Sequence, residues 1–322
     1  MSQYHVLIPD ALDQVAVDVL TKAEGLRVSY PGKLSQEQLI AQASDAHALM
    51  IRSGVKVTRE VFQAAPHLKI VARAGVGVDN VDLTAATEHK VIVVNTPGGN
   101  TVSTAEFTMG LMLALARFIP QGDASLKAGK WDRKNFVGVE LRGKTLGLVG
   151  FGRIGRAVAK RALAFEMTVI AYDPYVSAES AQADGVEKVE LADLYARADF
   201  ISLHALINND THHMINAASI AQMKDGVRII NAARGALIDD HDLAEAIKSG
   251  KVAGAALDVY EEEPPPADHP LVGLPNVIDT PHLAASTTDA QVTVAVEAAE
   301  LIVDYLLRGK LANVCNPAVL KA

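Results

Sequence analysis

The amino-acid sequence predicts an α/β protein built from two doubly wound parallel-sheet domains, and three observations carry this prediction. Short apolar runs, several of them rich in Val and Ile, recur along the chain, and helical-looking segments separate them. Continuous apolar strands that alternate with helices are typical of parallel sheets covered on both faces. The chain has 322 residues, of which 49% are apolar, and domains of roughly 150 residues make two domains the expected number.

Eleven strand candidates fall into two groups along the chain. Five lie at residues 4–8, 26–30, 48–51, 69–72 and 91–94, with helical segments at 11–23, 35–43, 58–64 and 83–89 between them. Six more lie at 145–149, 168–172, 200–203, 228–231, 252–257 and 277–279. Long helices at about 101–117 and 287–307 would carry the chain out of the first domain and back into it. We therefore expect a discontinuous first domain at residues 1–98 and 286–322, and a second domain at 99–285.

Composition and charge exclude several classes of protein. The 38 acidic side chains outnumber the 30 basic ones and give a net charge of −8, which makes the chain a poor general binder of nucleic acid or acidic membranes. The one cysteine, Cys315, permits no intrachain disulfide and favours a reducing compartment. The first residues lack the basic stretch of a signal peptide, and the longest apolar run, 107–116, is shorter than the about 20 residues that span a membrane. We expect a cytoplasmic protein without nucleic-acid, membrane or metal partners.

A glycine-rich turn follows the strand candidate at 145–149 and opens a helix. Gly150 allows the tight turn, Gly152 lets a pyrophosphate approach the backbone, and Gly155 lets the helix lie close to the sheet. Asp173 ends the next strand candidate 18 residues after Gly155, near the spacing of roughly 20 for a carboxylate that binds the adenosine ribose. Its charge would repel a 2′-phosphate, and no Arg directly follows it, so the sequence predicts NAD rather than NADP. The alternative is a chance glycine turn in an α/β sheet.

In the first domain, polar loops follow two of the strand candidates. Gly75 and Gly77, after the strand at 69–72, can turn successive backbone N–H groups inward to form a nest for a carboxylate. The carboxyl ends of parallel strands share one edge of a sheet, so the loop that follows Ile51 is expected at the same edge. The residues expected to converge on one small anion are Arg52, Ser53, Val76 and Gly77. The alternative is ordinary loop chemistry, in which Arg73 pairs with a nearby carboxylate.

Three strand candidates of the second domain end in segments with ionisable side chains. These segments are 231–235, 257–264 and 281–287. Oxidation of a hydroxy acid needs a base for the hydroxyl proton, for which His suits near-neutral pH, and a carboxylate that orients it. It also needs a cation, for which Arg suits, to bind the substrate carboxylate. Each residue alone has an ordinary alternative: His282 as a helix start, Arg234 as a surface ion pair, and residues 261–263 as a solvated acidic loop.

Taken together, these motifs match a known family over almost the whole chain. The residues that carry the match are 73–80, 94–97, 150–155, 231–235, 257–264 and 281–282. The chain resembles the NAD-dependent D-2-hydroxyacid dehydrogenases, which implies a flavodoxin-like substrate-binding domain, a Rossmann NAD-binding domain, and a homodimer built largely on the long helix and the segment near Trp131. The resemblance implies a catalytic set of Arg234, Glu263 and His282, with Glu263 chosen among three glutamates because it precedes Pro264.

The resemblance also implies a set of contacts to cofactor and substrate. The cofactor contacts would be Val76, Gly150, Gly152, Arg153, Ile154, Gly155, Asp173, Ala205, Ala232, Ala233, Arg234, Asp258, His282, Leu283, Ala284 and Ala285. The anion loops described above, together with this catalytic set, give the expected substrate contacts Arg52, Ser53, Val76, Gly77, Arg234 and His282. Val76 stands where close relatives often have Thr, and Ala205 stands where many have a polar residue or Leu. A cofactor contact at Ala205 would therefore be a backbone or an apolar contact.

The motifs leave the substrate open. Within the family, the chain is most similar to the branch that oxidises D-3-phosphoglycerate to 3-phosphooxypyruvate in serine biosynthesis, through segments 129–134, 143–147 and 255–259. Because the sequence ends at Ala322, we expect a short form without the C-terminal regulatory domain that many members of that branch carry. The alternatives are a glyoxylate or hydroxypyruvate reductase and a noncatalytic NAD(H)-sensing corepressor. Cations that reach a substrate phosphate would distinguish the phosphoglycerate branch from the reductase, and the candidates are Arg52, Arg133 and Lys134.

Overall fold

The computed structural model describes residues 3–321, and the chain divides into two compact units, Met1–Asn100 with Ser286–Ala322, and Thr101–Ala285. The strands, in chain order, are β1 (Tyr4–Leu7), β2 (Leu26–Ser29), β3 (Ala48–Ile51), β4 (Ile70–Arg73), β5 (Ile92–Asn95), β6 (Thr145–Val149), β7 (Thr168–Tyr172), β8 (Glu187–Lys188), β9 (Phe200–Leu203), β10 (Val227–Asn231), β11 (Val252–Leu257) and β12 (Val277–Asp279). The helices are α1 (Gln14–Thr21), α2 (Gln36–Gln42), α3 (Arg59–Ala64), α4 (Leu83–Glu88), α5 (Thr101–Arg117), α6 (Ile119–Lys127), α7 (Arg153–Ala164), α8 (Ala178–Ala183), α9 (Leu191–Arg197), α10 (Ala217–Ala221), α11 (Asp240–Lys248) and α12 (Thr288–Arg308). Short 3₁₀ turns lie at Ala43–Asp45, Arg133–Asn135, Gly235–Leu237 and Pro317–Lys321.

The first unit is built on a five-stranded parallel sheet in the order β2-β1-β3-β4-β5. Successive residues of β3 enter two different cores, because side chains alternate across a strand. Ala48 and Met50 pack with α1 and α12, whereas Leu49 and Ile51 pack with α2, α3 and α4. Both faces of the sheet are therefore covered, which explains why a central strand such as β3 is a continuous apolar run in the sequence.

The second unit is built on a seven-stranded parallel sheet in the order β12-β11-β10-β9-β6-β7-β8. Leu146 and Leu148 of β6 pack with α5 and α7 on one face, and Ile201 and Leu203 of β9 pack with α9 and α11 on the other. β6 lies between β7 and β9, so the strand order reverses there and opens a crevice outside the carboxyl ends of the strands. The segments that follow β6, β9, β10, β11 and β12 all lie at this edge.

These two sheets confirm the predicted fold class. Each of the eleven strand candidates forms a strand within one residue of its predicted bounds. The exception to the prediction is β8, a two-residue strand at the edge of the second sheet that lacks an apolar run. Among residues 3–321, no single helix is long and apolar enough to cross a membrane, although α5 and α6, bent by 63°, pass that test as a pair by length and composition.

Candidate active site

The glycine turn after β6 fits the pyrophosphate of a dinucleotide. Gly150 has a φ of 94°, and a Cβ atom there would lie 2.6 Å from the backbone oxygen of His204. A Cβ atom at Gly155 would lie 2.5 Å from the backbone oxygen of Gly150, so the start of α7 packs directly on the turn. Gly152 faces open space and begins α7 without a side-chain cap. The N–H groups of the first turn of α7 are therefore available to an anion, and the helix dipole favours one.

Asp173 lies beside this turn, at the end of β7. Its Oδ2 accepts a hydrogen bond of 2.8 Å from the backbone N–H of Phe151, and its Oδ1 accepts one of 2.8 Å from Tyr175. Each carboxylate oxygen can accept more than one hydrogen bond, so both retain capacity for ribose hydroxyls. The glycine turn and Asp173 together fit NAD, and the carboxylate charge disfavours a 2′-phosphate.

A histidine and a glutamate form a hydrogen-bonded pair at the same edge of the sheet. Nδ1 of His282 lies 2.8 Å from Oε2 of Glu263, and Oε1 of Glu263 accepts a 3.1 Å hydrogen bond from the backbone N–H of Tyr260. The His282 side chain is 51% exposed, whereas Nδ1 is engaged. Because a carboxylate only accepts hydrogen bonds, it favours the tautomer with hydrogen on Nδ1. That tautomer leaves Nε2 without a hydrogen and able to accept one, and both side chains line a cavity of about 380 Å³.

Asp258 fixes the segment that carries His282. Its carboxylate is fully buried, and its backbone oxygen accepts a 2.8 Å hydrogen bond from the N–H of His282. The carboxylate accepts from the Thr280 hydroxyl at 2.6 Å and from the N–H groups of Leu283 and Ala284, each at 2.8 Å. The sequence predicts Asp258 as a cofactor contact. In the structure its side chain holds residues 280–284, so any effect of that side chain on a cofactor would be exerted through this segment.

Arg234 lies on a loop that is held from both sides. The buried Asn231 accepts a hydrogen bond of 3.0 Å from Ala233 N–H and donates one of 2.9 Å to the carbonyl of Arg234. Gly235 packs against the backbone of Tyr260, where a Cβ atom would collide with it. The loop that bears Arg234 and the loop that bears Glu263 are therefore in backbone contact. Asn231 is part of a predicted motif, but its bracing role requires the three-dimensional structure to be seen.

The remaining predicted cofactor contacts of this unit lie on the same segments. Arg153 is exposed and Ile154 half-buried in the first turn of α7, and the backbone of Ala205 lies next to Gly150. Ala232, at 9% exposure, and Ala284, at 4%, are buried, so contacts there would involve their backbones. Ala233 and Ala285 are half-buried, and Leu283 is exposed.

In the first unit, a buried carboxylate shapes the loop after β3. Asp10 is 4% exposed, and its Oδ2 accepts hydrogen bonds from the N–H groups of Arg52, at 3.0 Å, and Gly54, at 2.8 Å. Its Oδ1 accepts a third, of 2.8 Å, from Ala11. A Cβ atom at Gly54 would collide with this carboxylate. The sequence reasoning missed Asp10, although an acidic residue two positions after the apolar run at 4–8 could have drawn attention to it.

A second loop, after β4, starts beside the first because Ile51 of β3 pairs with Arg73 of β4. Asn80 links the two loops, since its side-chain amide donates to the carbonyl groups of Arg52, at 2.7 Å, and Val55, at 2.8 Å. The predicted anion residues are thus brought to one edge of this sheet: Arg52, Ser53, Val76 and Gly77.

Two side chains at the end of β5 hold the backbone of the predicted nest. The hydroxyl of Thr96 accepts a 2.7 Å hydrogen bond from the N–H of Gly75, whose φ is 145°, and the amide of Asn95 donates to the carbonyl of Val76. With that carbonyl engaged, the N–H groups of Val76 and Gly77 donate no hydrogen bond to any of residues 3–321. They are half-exposed and suited to an anion.

The chain is similar to known proteins of one family. Residues 109–284 match the family described as D-isomer specific 2-hydroxyacid dehydrogenase, NAD binding domain. The D-3-phosphoglycerate dehydrogenase of Archaeoglobus fulgidus is 52% identical over 311 residues, which are 97% of this chain and 59% of that protein. The chain therefore spans about three-fifths of the length of this curated relative.

Solved structures are similar over the whole chain. The TT0316 protein of Thermus thermophilus matches with a TM-score of 0.87 and 37% identity, covering 97% of this chain and 99% of that one. A glyoxylate reductase from Paecilomyes thermophila matches with a TM-score of 0.87 and 30% identity, covering 98% and 99%. Both likenesses extend over the two units described above.

Proposed function

This chain belongs to the D-isomer specific 2-hydroxyacid dehydrogenase family, and we propose on that premise that it oxidises D-3-phosphoglycerate to 3-phosphooxypyruvate with NAD, in serine biosynthesis. The observation that carries the enzymatic part of the proposal is the 2.8 Å hydrogen bond between His282 and Glu263 at the edge that also bears the glycine turn. In this proposal Thr101–Ala285 is the NAD-binding domain, and Met1–Asn100 with Ser286–Ala322 is the substrate-binding domain.

The catalytic roles follow from the chemistry of three side chains. Bound NAD would supply the acceptor for the two electrons and the hydrogen removed from C2. Nε2 of His282 would take the proton of the C2 hydroxyl, and Glu263 would stabilise the resulting imidazolium through Nδ1. Arg234 would bind the substrate carboxylate and polarise the C2 oxygen, for which the planar guanidinium offers paired donors.

The choice of substrate rests on the loops of the first unit. The free N–H groups of Val76 and Gly77, with Ser53, are suited to a carboxylate. Arg52 would bind a phosphate at the far end of the substrate, and Arg133 or Lys134 of a second copy would supply further charge. The name of the Archaeoglobus fulgidus relative supports this choice. A glyoxylate or hydroxypyruvate reductase is the second candidate, favoured by the likeness to the Paecilomyes thermophila enzyme.

The proposed enzyme is a cytoplasmic homodimer. Helix α6 buries no residue within the chain, and large apolar side chains lie exposed on it and on the segment that follows it. They are Ile119 at 56%, Leu126 at 61%, Trp131 at 81% and Val137 at 80% exposure. A second copy of the chain would cover this surface, since large exposed apolar patches commonly mark interfaces. A reducing compartment such as the cytoplasm suits a chain with one cysteine.

Initial-rate measurements test the function. The purified chain would be assayed with NAD and with NADP against D-3-phosphoglycerate, D-glycerate and D-lactate, and in reverse against hydroxypyruvate and glyoxylate. We expect the highest kcat/KM with D-3-phosphoglycerate and NAD. A higher kcat/KM with an unphosphorylated acid would favour the reductase instead. NADH binding without turnover of any acid would refute the enzymatic function.

A further inference from the structure

Two histidines and a glutamate outside the proposed catalytic set form a compact group of possible metal ligands. Nε2 of His213 lies 2.9 Å from Oε2 of Glu261, and Nε2 of His212 lies 3.6 Å from Oε1. One ligand atom from each residue falls within 4.8 Å of the other two. Small movements of these side chains would bring all three to the roughly 2.0–2.2 Å at which imidazole and carboxylate bind Zn²⁺.

An unusual backbone conformation makes this arrangement possible. Neighbouring side chains normally point in different directions, but His213 has a φ of 49°, in the left-handed region. The two imidazole rings consequently stack, with centroids 4.0 Å apart and planes 26° from parallel. Both Nε2 atoms therefore face the same carboxylate.

The backbone around the group is held by hydrogen bonds that do not involve the ligand atoms. The N–H of His212 donates to the carbonyl of Asn208 at 3.0 Å, and the N–H of His213 donates to the carbonyl of Ala236 at 2.8 Å. On the other side, the backbone N–H of Glu261 lies against Gly235, where no Cβ atom could be accommodated. The ligand side chains thus project from fixed positions, which reduces the entropy lost when a metal binds.

A second carboxylate stands behind His213. Oδ2 of Asp239 lies 3.8 Å from Nδ1 of His213, while Oδ1 caps α11 by accepting from the N–H groups of His241 and Asp242. This separation is that of an ion pair rather than a hydrogen bond, and a shift of the carboxylate toward Nδ1 would make it the outer partner that commonly fixes the tautomer of a metal-bound histidine and increases its basicity. Negative charge from Asp239 and Glu261 also attracts a cation.

We propose that His212, His213 and Glu261 form a binding site for a divalent transition-metal ion of the Zn²⁺ class. Two imidazoles and one carboxylate favour Zn²⁺, and also Ni²⁺ or Cu²⁺, over the hard cations Mg²⁺ and Ca²⁺. Three protein ligands leave the fourth tetrahedral position to water. The ion would join the turn that bears the histidines to the loop that continues to Glu263.

Direct binding measurements test the site independently of enzymatic activity. The full chain, without a histidine tag and after chelator treatment, would be titrated with ZnCl₂ by calorimetry and with Co²⁺ by visible absorption. We expect one saturable Zn²⁺ per chain and ligand-field bands typical of tetrahedral Co²⁺. His212→Ala and Glu261→Gln should each weaken Zn²⁺ binding at least about 10- to 100-fold, and Asp239→Asn, which preserves the helix cap, about 10-fold.

Matched variants separate this site from unspecific binding by the other histidines and acids. His241→Ala and Glu262→Gln change exposed side chains close by that are outside the group, and both should bind Zn²⁺ like the unmodified chain. The proposal is overturned if the unmodified chain shows no saturable Zn²⁺ binding. It is equally overturned if Glu261→Gln binds as tightly as the unmodified chain, or if Glu262→Gln loses as much affinity as Glu261→Gln.

Discussion

Nδ1 of His282 lies 2.8 Å from Oε2 of Glu263, and the other oxygen of that carboxylate is held by the backbone of Tyr260. Both oxygens of the Glu263 carboxylate thus take part in hydrogen bonds within the chain. The geometry makes Glu263 a fixed partner for the imidazole, and in the proposed reaction Nε2 is the atom that would meet the substrate hydroxyl. Asp258 in turn fixes the backbone that bears His282, because its carbonyl and carboxylate oxygens accept hydrogen bonds from the N–H groups of residues 282–284.

Replacing the proposed base should remove the chemistry and spare cofactor binding. His282→Asn is expected to lower kcat by about 10²- to 10⁴-fold, the usual contribution of a general acid–base group, because no base remains at that position. Glu263→Gln should lower kcat less, since the imidazole remains but loses the charge that stabilises its protonated form. Steady-state kinetics and NADH fluorescence titration would measure both effects, with His241→Asn as the control. Near-normal turnover of His282→Asn would mean that another residue is the base.

Asp173 should determine the choice between NAD and NADP. Asp173→Ala removes a charged acceptor of hydrogen bonds from the ribose hydroxyls, worth about 1.5–3 kcal/mol each, and relieves the repulsion of a 2′-phosphate. The ratio of kcat/KM for NAD to that for NADP should therefore fall by about 10- to 150-fold, given that about 1.4 kcal/mol corresponds to tenfold. Glu179→Gln, which changes an exposed acid on α8, should leave the ratio unchanged. Equal use of both cofactors by the unmodified chain would contradict the role of Asp173.

Much of the fold could be predicted from the sequence because the strands are wholly or mainly apolar runs separated by helical segments. β3 and β6 are examples, and β8 was missed because Glu187 and Lys188 have no such pattern. The braces of the site could not be predicted in the same way. Asp10 bonds to backbone groups 42 and 44 positions away, and no local pattern records such a contact.

Burial of one histidine should make the stability of the second unit depend on pH. Burial lowers the pKa of His204 from 6.5 to about 4, and its Nε2 lies 3.0 Å from the hydroxyl of Ser202. The unfolded chain therefore binds a proton at this residue between about pH 6.5 and pH 4, where the folded chain does not. The free energy of unfolding should fall through that range as pH decreases, by up to about 2 kcal/mol at pH 5.

His204→Asn would isolate this contribution. Urea unfolding of both proteins at pH 7 and pH 5 should show a smaller loss of stability in the variant than in the unmodified chain. An identical loss in the two proteins would show that other groups account for the acid sensitivity.

Arg52 should distinguish phosphorylated from unphosphorylated substrates. A hydrogen bond between its guanidinium and a phosphate would contribute about 1.5–3 kcal/mol. Arg52→Ala should then lower kcat/KM for D-3-phosphoglycerate by roughly 10- to 150-fold, and leave that for D-glycerate or hydroxypyruvate nearly unchanged. An equal loss for all of these acids would remove the phosphate role and favour the reductase.

Asp10 should act on substrate binding through the loop that it holds. In Asp10→Asn the side chain keeps its shape, but its one amide oxygen replaces two carboxylate oxygens, so one backbone N–H faces the NH₂ group and the remaining hydrogen bonds to the Arg52 and Gly54 N–H groups lose the charge of their acceptor. The loop at Arg52 and Gly54 should shift, and we expect KM for D-3-phosphoglycerate to rise about tenfold, which corresponds to the roughly 1.4 kcal/mol of one such hydrogen bond. Because His282 and Glu263 lie outside this loop, kcat and NADH affinity should stay within about twofold of the unmodified values.

Kinetics at saturating NAD, with thermal unfolding recorded in parallel, would measure these quantities, and Asp13→Asn, which preserves the cap of α1, is the matched control. A fall in kcat with unchanged KM would show that Asp10 does not position the substrate loop.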